Sequence, residues 1–167
     1  MKRVEIIYGG ASNEKEISYL TAKSIYEHID TDLYNLGLTD LSKFDPDNFD
    51  NETIFFIAVH GEGGEDGKIQ TLLENKKRKF TGSSSESCIL TWDKVATKRT
   101  LIANDILTPQ FKSIKNNEHF DFNDSFFAEN EHYFVKPNFN GSSYGISKVS
   151  DKKFNEALKE AKNYSTE

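Results

Sequence analysis

The sequence predicts an α/β protein whose first part is built on a parallel β-sheet. Three short apolar segments, at 3–8, 34–38 and 53–60, have the length of strands. An amphipathic helical segment separates the first strand from the second. The third strand shows no alternation of polar residues, which indicates that helices cover both of its faces, as in parallel sheets.

The first strand, 3–8, ends at two glycines, which indicates a tight turn. Ser12 or Asn13 is then placed to cap a helix, because their side chains accept hydrogen bonds from the first backbone N–H groups. The helix is predicted to continue with one apolar stripe at helical spacing, through Ile17, Leu20, Ser24, Ile25 and Ile29. Segment 41–52 is polar and contains Pro46, so we predict a loop or a short helix before the third strand.

A second domain is predicted, because the character of the sequence changes near residue 82; we place the domains at 1–92 and 93–167. Segment 88–105 has the pattern of one helix, and Pro109 closes it. Segment 115–131 is polar with scattered phenylalanines and has no assignment.

The second domain is predicted to contain a β-hairpin. Strands at 132–137 and 146–149 flank a glycine–serine loop, and an amphipathic helix follows Ser150. Two or three strands make a marginal sheet, so we expect this domain to be incomplete within the 167 residues.

Composition excludes several classes of protein. A net charge of −6 argues against nucleic acid and anionic membranes as partners. The single cysteine, Cys88, excludes an internal disulfide framework and fits a reducing compartment. No apolar segment approaches 18 residues. We therefore predict a cytoplasmic protein.

One candidate site lies at the ends of the first and third strands, because ligands of parallel sheets bind at the carboxyl ends of strands. Glu14, at a helix N-terminus, is placed to meet an ammonium group; alternatively it only caps the helix. His60 and Gly61 begin a glycine-rich acidic loop that permits close backbone approach. Alternatively, His60 only bonds a backbone carbonyl. Glu65 and Asp66 are expected to cap the following helix.

A second candidate site is the loop 138–145. Its glycines and serines, Gly141, Ser142, Ser143 and Gly145, can present backbone N–H groups and hydroxyls to phosphate oxygens. Two lysines, Lys94 and Lys136, suit a nucleoside triphosphate. The alternative is an ordinary hairpin turn with solvated lysines. The sequence has no P-loop signature.

Six segments together resemble D-alanine–D-alanine ligases of the ATP-grasp superfamily. They are "YGGASNEKEIS" (8–18), "VHGEGGEDGKIQTLLE" (59–74), "FTGS" (80–83), "WDKVATK" (92–98), "LTPQF" (107–111) and "FVKPNFNGSSYGISKV" (134–149). The resemblance covers nearly all of this chain and about the first half of the family's length. It implies a Rossmann-like N-terminal domain followed by the first part of an ATP-grasp domain.

The resemblance implies ATP-dependent ligation of two D-alanines for peptidoglycan precursor synthesis. Glu14 would hold the ammonium group of the first D-alanine, His60 and Gly61 would lie near its carboxylate, and Ile17 near its methyl group. Ser142 would join a hydrogen-bond network that links Glu14 to a loop closing the site.

ATP would be bound by the second domain. The resemblance places Lys94, Lys136 and the loop of Gly141, Ser142, Ser143 and Gly145 at the phosphates. It implies Mg²⁺ ligands in the other half of the family's chain, so no metal ligand is expected here. It also implies a homodimer for the complete enzyme, and no dipeptide synthesis by the 167 residues alone.

Two alternatives stay open. The chain could be a non-catalytic module that binds an amino acid or a nucleotide, or part of a ligase that uses D-lactate as its second substrate. The reading frame beyond Glu167 distinguishes the non-catalytic module from the ligase, because acidic and asparagine metal ligands downstream would indicate the ligase. Residues that separate the dipeptide from the depsipeptide activity are expected in the other half.

Overall fold

A computed structural model describes residues 1–115, 132–150 and 153–165. The chain divides into two compact units, Met1–Thr91 and Trp92–Glu167. No helix within the described ranges is long and apolar enough to cross a bilayer.

The first unit is built on a four-stranded parallel sheet, which confirms the predicted fold class. Its strands are β1 (Lys2–Tyr8), β2 (Tyr34–Asp40), β3 (Ile54–Ile57) and β4 (Lys79–Phe80). They lie in the order β2–β1–β3–β4, and every neighbouring pair is parallel. The helices are α1 (Lys15–His28), α2 (Lys68–Asn75) and α3 (Ser85–Trp92), with short 3₁₀ helices at Leu41–Lys43 and Pro46–Asn48.

Helices cover both faces of this sheet, as the apolar third strand predicted. On one face, Val4 and Ile6 of β1 cluster with Ala22 of α1. On the other face, Phe55 of β3 packs with Leu73 of α2. The central strands are therefore buried from two sides, and their carboxyl ends are held in fixed positions.

The predicted apolar stripe of α1 is wrong over its first two turns. Ile17 is 54% exposed and Leu20 is 53% exposed, whereas Ser18 and Ala22 are fully buried. Small residues let the helix approach the sheet closely. The Ser18 hydroxyl then accepts a hydrogen bond from the N–H of Gly9 and donates one to the carbonyl of Ala58, both at 2.8 Å.

Two further strand predictions need correction. The third strand ends at Ile57 and not at residue 60, because the chain turns there into the glycine-rich loop. The two-residue β4 was not predicted, since a strand this short shows no alternation. It is specified by its pairing with β3.

The second unit confirms the predicted hairpin. It contains α4 (Lys94–Ala103), β5 (Tyr133–Val135), β6 (Ser147–Val149) and α5 (Phe154–Ala161). Strands β5 and β6 are antiparallel. Phe154 and two alanines of α5 pack against Val135 and Val149.

The single helix predicted at 88–105 is wrong, because two helices, α3 and α4, occupy this segment. The break is at Asp93, which has extended backbone angles and whose carboxylate accepts a hydrogen bond from the N–H of Ala96 at 2.9 Å. An N-cap of this kind starts a new helix. Nearly all of the unassigned segment 115–131 lies outside the described residues.

Candidate functional site

The first candidate site lies where the strand order of the sheet changes direction. β1 and β3 are neighbours; the chain leaves β1 toward β2 on one side and leaves β3 toward β4 on the other, so these two connections diverge. The segments that follow β1 and β3, 9–14 and 58–67, therefore meet at the edge where ligands of open α/β sheets bind.

Direct contacts join these two segments. The Ser12 hydroxyl donates a hydrogen bond to the carbonyl oxygen of His60 at 2.9 Å and accepts one from the N–H of Glu14 at 3.3 Å. A Cβ atom placed on Gly61 would lie 2.6 Å from Oε2 of Glu14. The structure thus brings Glu14, His60 and Gly61 together, as the sequence predicted.

Glu14 is a buried carboxylate at the N-terminus of α1. The residue is only 6% exposed, and its side chain makes no capping hydrogen bond to the helix. The helix dipole favours a negative charge at this end. The alternative that Glu14 only caps the helix is therefore wrong, and a buried carboxylate is a type of group that can pair with an ammonium ion.

His60 faces side chains and not a backbone carbonyl. Its Nε2 lies 2.9 Å from Oγ1 of Thr21, and its Nδ1 lies 3.8 Å from Oε1 of Glu65. The His60 side chain is 32% exposed. Nε2 thus has a partner at hydrogen-bond distance, Nδ1 lies beyond that distance from Glu65, and the side chain is partly open to solvent.

The glycine-rich loop is ordered by side chains of its own segment. The carboxylate of Asp66 accepts hydrogen bonds from the N–H groups of Gly63 at 3.0 Å and Lys68 at 3.1 Å, as its predicted capping role requires. Gln70 donates to the carbonyl of Gly64 at 2.6 Å. The predicted capping role of Glu65 is wrong, because its carboxylate lies on the side of His60.

Ion pairs hold the start of α2 next to this loop. Lys68 lies 2.7 Å from Glu62 and 3.0 Å from Asp66. Hydrogen bonds to these two carboxylates raise the pKa of Lys68. Lys68 therefore neutralises part of the negative charge of the loop.

Ile17 is the predicted neighbour of a ligand methyl group. It lies on α1 three residues after Glu14, and its exposure leaves it available for a contact. Sequence reasoning named Ser12 only as a possible helix cap and missed Ser18 and Thr21. The spacing of Glu14, Ser18 and Thr21 places all three on one helix face, and this polar stripe was the available signal.

The second candidate site is the hairpin loop of the second unit. The ammonium group of Lys94 donates to the carbonyl oxygens of Asn138 at 3.2 Å and Asn140 at 2.7 Å. The side chain of Asn138 accepts a hydrogen bond from the N–H of Val95 at 2.9 Å. Lys94 therefore anchors the loop to the start of α4. The two asparagines were not singled out from the sequence, because their role depends on contacts distant along the chain.

The loop backbone has an unusual conformation. Ser142 and Ser143 both have positive φ, at 45° and 63°, and Gly145 has φ 69°. Successive backbone N–H groups in turn conformations form concave surfaces that suit anions. Gly141 N–H is already bonded to the side chain of Asn140 at 2.8 Å.

The two predicted phosphate lysines lie within electrostatic range of each other. Burial lowers the pKa of Lys94, and the positive charge of Lys136 lowers it further. The Nζ of Lys136 lies 5.7 Å from the ring centre of Phe134. This local excess of positive charge favours an anionic ligand.

The predicted sites therefore fall in separate units. Glu14, Ile17, His60 and Gly61 belong to the first unit, and the two lysines and the loop with Ser142 belong to the second. The network predicted between Glu14 and Ser142 stays a prediction. Within residues 1–115, 132–150 and 153–165, no three histidine, cysteine, aspartate or glutamate side chains form a group suited to a metal.

Comparison with known proteins gives a consistent family likeness. A D-alanine–D-alanine ligase of Marinomonas sp. (strain MWYL1) is 35% identical over 98% of this chain and 54% of its own length. The D-alanine–D-alanine ligase of Methylacidiphilum infernorum is 32% identical over 98% of this chain and 52% of its own length. No model of a known protein family matches the chain.

Solved structures show a likeness to the same family. A D-alanine–D-alanine ligase from Bacillus anthracis matches 99% of this chain and 55% of its own chain, with 27% identity and a TM-score of 0.86. The structure of a Bacillus anthracis D-alanine–D-alanine ligase complexed with ATP matches with 25% identity and a TM-score of 0.84. The chain spans about half the length of the relatives that it matches.

Proposed function

This chain belongs to the D-alanine–D-alanine ligase family and spans about half the relatives' length, and we propose that it supplies the first D-alanine site and part of the ATP site of such an enzyme. The reaction is the ATP-dependent joining of two D-alanines for peptidoglycan precursor synthesis. The observation that carries the proposal is the buried carboxylate of Glu14, which lies against Gly61 at the switch point of the sheet.

The first unit would bind the first D-alanine. The carboxylate of Glu14 pairs with the ammonium group, and a buried pair of this kind is strong because little water competes for it. His60 donates to the substrate carboxylate, and Ile17 contacts the methyl group. The backbone at Gly61 lets these groups converge, since any side chain there would displace Glu14.

The second unit would bind the phosphates of ATP. Lys136 and Lys94 neutralise phosphate oxygens, and the backbone of Gly141, Ser142, Ser143 and Gly145 folds over them. The likeness to an ATP-complexed ligase supports this assignment. In the reaction, the carboxylate of the first D-alanine takes the terminal phosphoryl group of ATP. The amine of the second D-alanine then attacks the acyl phosphate, and phosphate leaves.

The protein's contribution to this chemistry is positioning and neutralisation of charge. The described residues do not provide an acidic cluster for Mg²⁺, so we place the metal ligands elsewhere and derive no step through the metal. A cytoplasmic homodimer is the proposed form of the complete enzyme.

The first experiment titrates the ¹⁵N-labelled chain with D-alanine. We expect saturable amide shifts in 9–14 and 58–64, with smaller shifts for L-alanine and for propionate, which lacks the ammonium group. Equal responses to D-alanine and propionate would contradict the role of Glu14.

The second experiment measures phosphate release by the protein encoded by the whole reading frame, with ATP, Mg²⁺ and D-alanine. Release that depends on D-alanine supports the ligase. Binding of D-alanine without any release would instead support a non-catalytic module.

A further inference from the structure

Thr21 is a side chain that the ligand assignment above does not use, although it contacts a residue of the site. Its Oγ1 lies 2.9 Å from Nε2 of His60. It is placed two helical turns after Glu14 on α1, so the same helix presents both groups to the ends of β1 and β3.

The two nitrogens of His60 are held unequally. Nε2 has a partner at full hydrogen-bond distance, whereas Nδ1 lies 3.8 Å from Glu65, which is beyond it. Glu65 is also 46% exposed at its side chain, so its attraction is weakened by water. The Nδ1 edge is therefore the one at which an incoming carboxylate can replace a protein group.

The hydroxyl of Thr21 is itself held in place. Its helix is fixed to the strand ends by Ser18, which bonds Gly9 and Ala58. A threonine in a helix is limited to two χ1 rotamers, so few positions are open to its hydroxyl. The backbone of His60 is fixed by Ser12. Both partners of the contact are thus positioned independently of any ligand.

We propose that Thr21 is a positioning residue for His60. A hydroxyl can donate to Nε2 or accept from it, and the carboxylate of Glu65 on the Nδ1 side, which can only accept, favours donation by Thr21. The neutral imidazole then carries its proton on Nδ1, and that N–H points to the carboxylate of the bound amino acid in place of Glu65. A neutral imidazole has one donor and one acceptor nitrogen, so a donor at Nε2 selects the Nδ1–H form. The ligand part of this inference rests on the proposed function; the assignment of the proton does not.

The test is long-range ¹H–¹⁵N NMR of the histidine-labelled chain, at a pH above the ordinary titration range of histidine. The His60 signals are assigned from their loss in His60→Gln. We expect the Nδ1–H pattern in the wild type and in Thr21→Ser, which keeps the hydroxyl. Thr21→Val should lose the preference for Nδ1–H and show a mixture of both tautomers. Thr71→Val, at an exposed position of α2, is the matched control and should match the wild type.

An Nε2–H pattern in the wild type, or a Thr21→Val spectrum identical to that of the wild type, would overturn the inference. With D-alanine added, the shift should be larger at Nδ1 than at Nε2, and a larger shift at Nε2 would also overturn it. If D-alanine perturbs neither nitrogen while the Nδ1–H form persists, the proposed ligand role of His60 fails and the hydrogen bond to Thr21 stands.

Discussion

The carboxylate of Glu14 lies against the backbone of Gly61, so closely that a Cβ atom on Gly61 would be 2.6 Å from Oε2. Residue 61 also has φ 69°, a backbone conformation that other residues adopt at a cost. Two separate physical requirements therefore select glycine at the junction of the two strand-end segments.

Gly61→Ala should lower stability and weaken D-alanine binding together. The strained backbone costs about 1–3 kcal/mol, and the new methyl group displaces the carboxylate of Glu14. Urea unfolding and D-alanine titration measure the two effects. The control is Gly82→Ala, which also has positive φ, at 114°, but has open space around its Cβ. If Gly82→Ala weakens D-alanine binding equally, the contact with Glu14 is not the cause.

Glu14→Gln should weaken D-alanine binding by roughly tenfold or more, because a charge-assisted contact to the ammonium group becomes a neutral one. Binding of propionate should change little, since propionate has no ammonium group. Glu16→Gln is the matched control, because Glu16 is an exposed acid in the same first turn. Equal losses in both variants would indicate a general effect of charge near the helix terminus.

Lys136→Ala should weaken ATP binding by roughly tenfold or more through loss of a charge-assisted contact to phosphate. Titration of the chain with ATP measures this effect directly. Lys148→Ala, on the exposed part of β6, removes the same charge from the same unit and should have little effect. Unchanged ATP affinity in Lys136→Ala would exclude it as a phosphate ligand.

Lys94→Met should weaken ATP binding and also destabilise the second unit. Lys136→Ala should weaken ATP binding without this loss of stability. The reason is that the ammonium group of Lys94 bonds two backbone carbonyls of the hairpin loop: Asn140 then loses this donor, and Asn138 keeps only the N–H of residue 94 at 3.4 Å. Hydrogen exchange of residues 138–145 should accelerate in this variant. Unchanged exchange would show that the contacts of Lys94 do not hold the loop.

Burial and, to a smaller extent, the positive charge of Lys136 lower the pKa of Lys94 in the folded protein, so this pKa should rise in Lys136→Ala. NMR titration of ¹³Cε-labelled lysines gives this value, with Lys148→Ala as the control. Between the lowered folded pKa and the ordinary lysine pKa, the unfolded chain binds more protons. Lys94 therefore makes the free energy of unfolding increase with pH across that window, and Lys94→Met should remove this increase.

The fold class followed from the sequence, because buried parallel strands must be apolar along their whole length, whereas the strand order was decided by the tertiary structure. Segments 3–8 and 53–60 carry that pattern, and the hairpin around the glycine–serine loop has equally local signals. Local signals did not give β4 or the break at Asp93. A two-residue strand is defined by its partner, and a helix break within an unbroken pattern depends on one capping contact.

The buried face of α1 is the clearest case in which packing overrides pattern. Ile17 and Leu20 made the apolar stripe in the sequence, yet Ser18 and Ala22 face the sheet. A small residue allows close approach, and a serine can bond the strand-end backbone while buried. Periodicity reports where apolar residues recur, and it does not report how closely two elements approach.

The residue types of the candidate site were readable from the sequence: a carboxylate and a histidine at strand ends, and two lysines near a glycine–serine loop. Only the tertiary structure decided their partners. Thr21 lies 39 residues from His60 along the chain, and Asn140 lies 46 from Lys94. The chemistry of a side chain is given by the residue type and can be taken from the sequence. A hydrogen bond requires two groups within about 3 Å, and only the folded chain sets that distance.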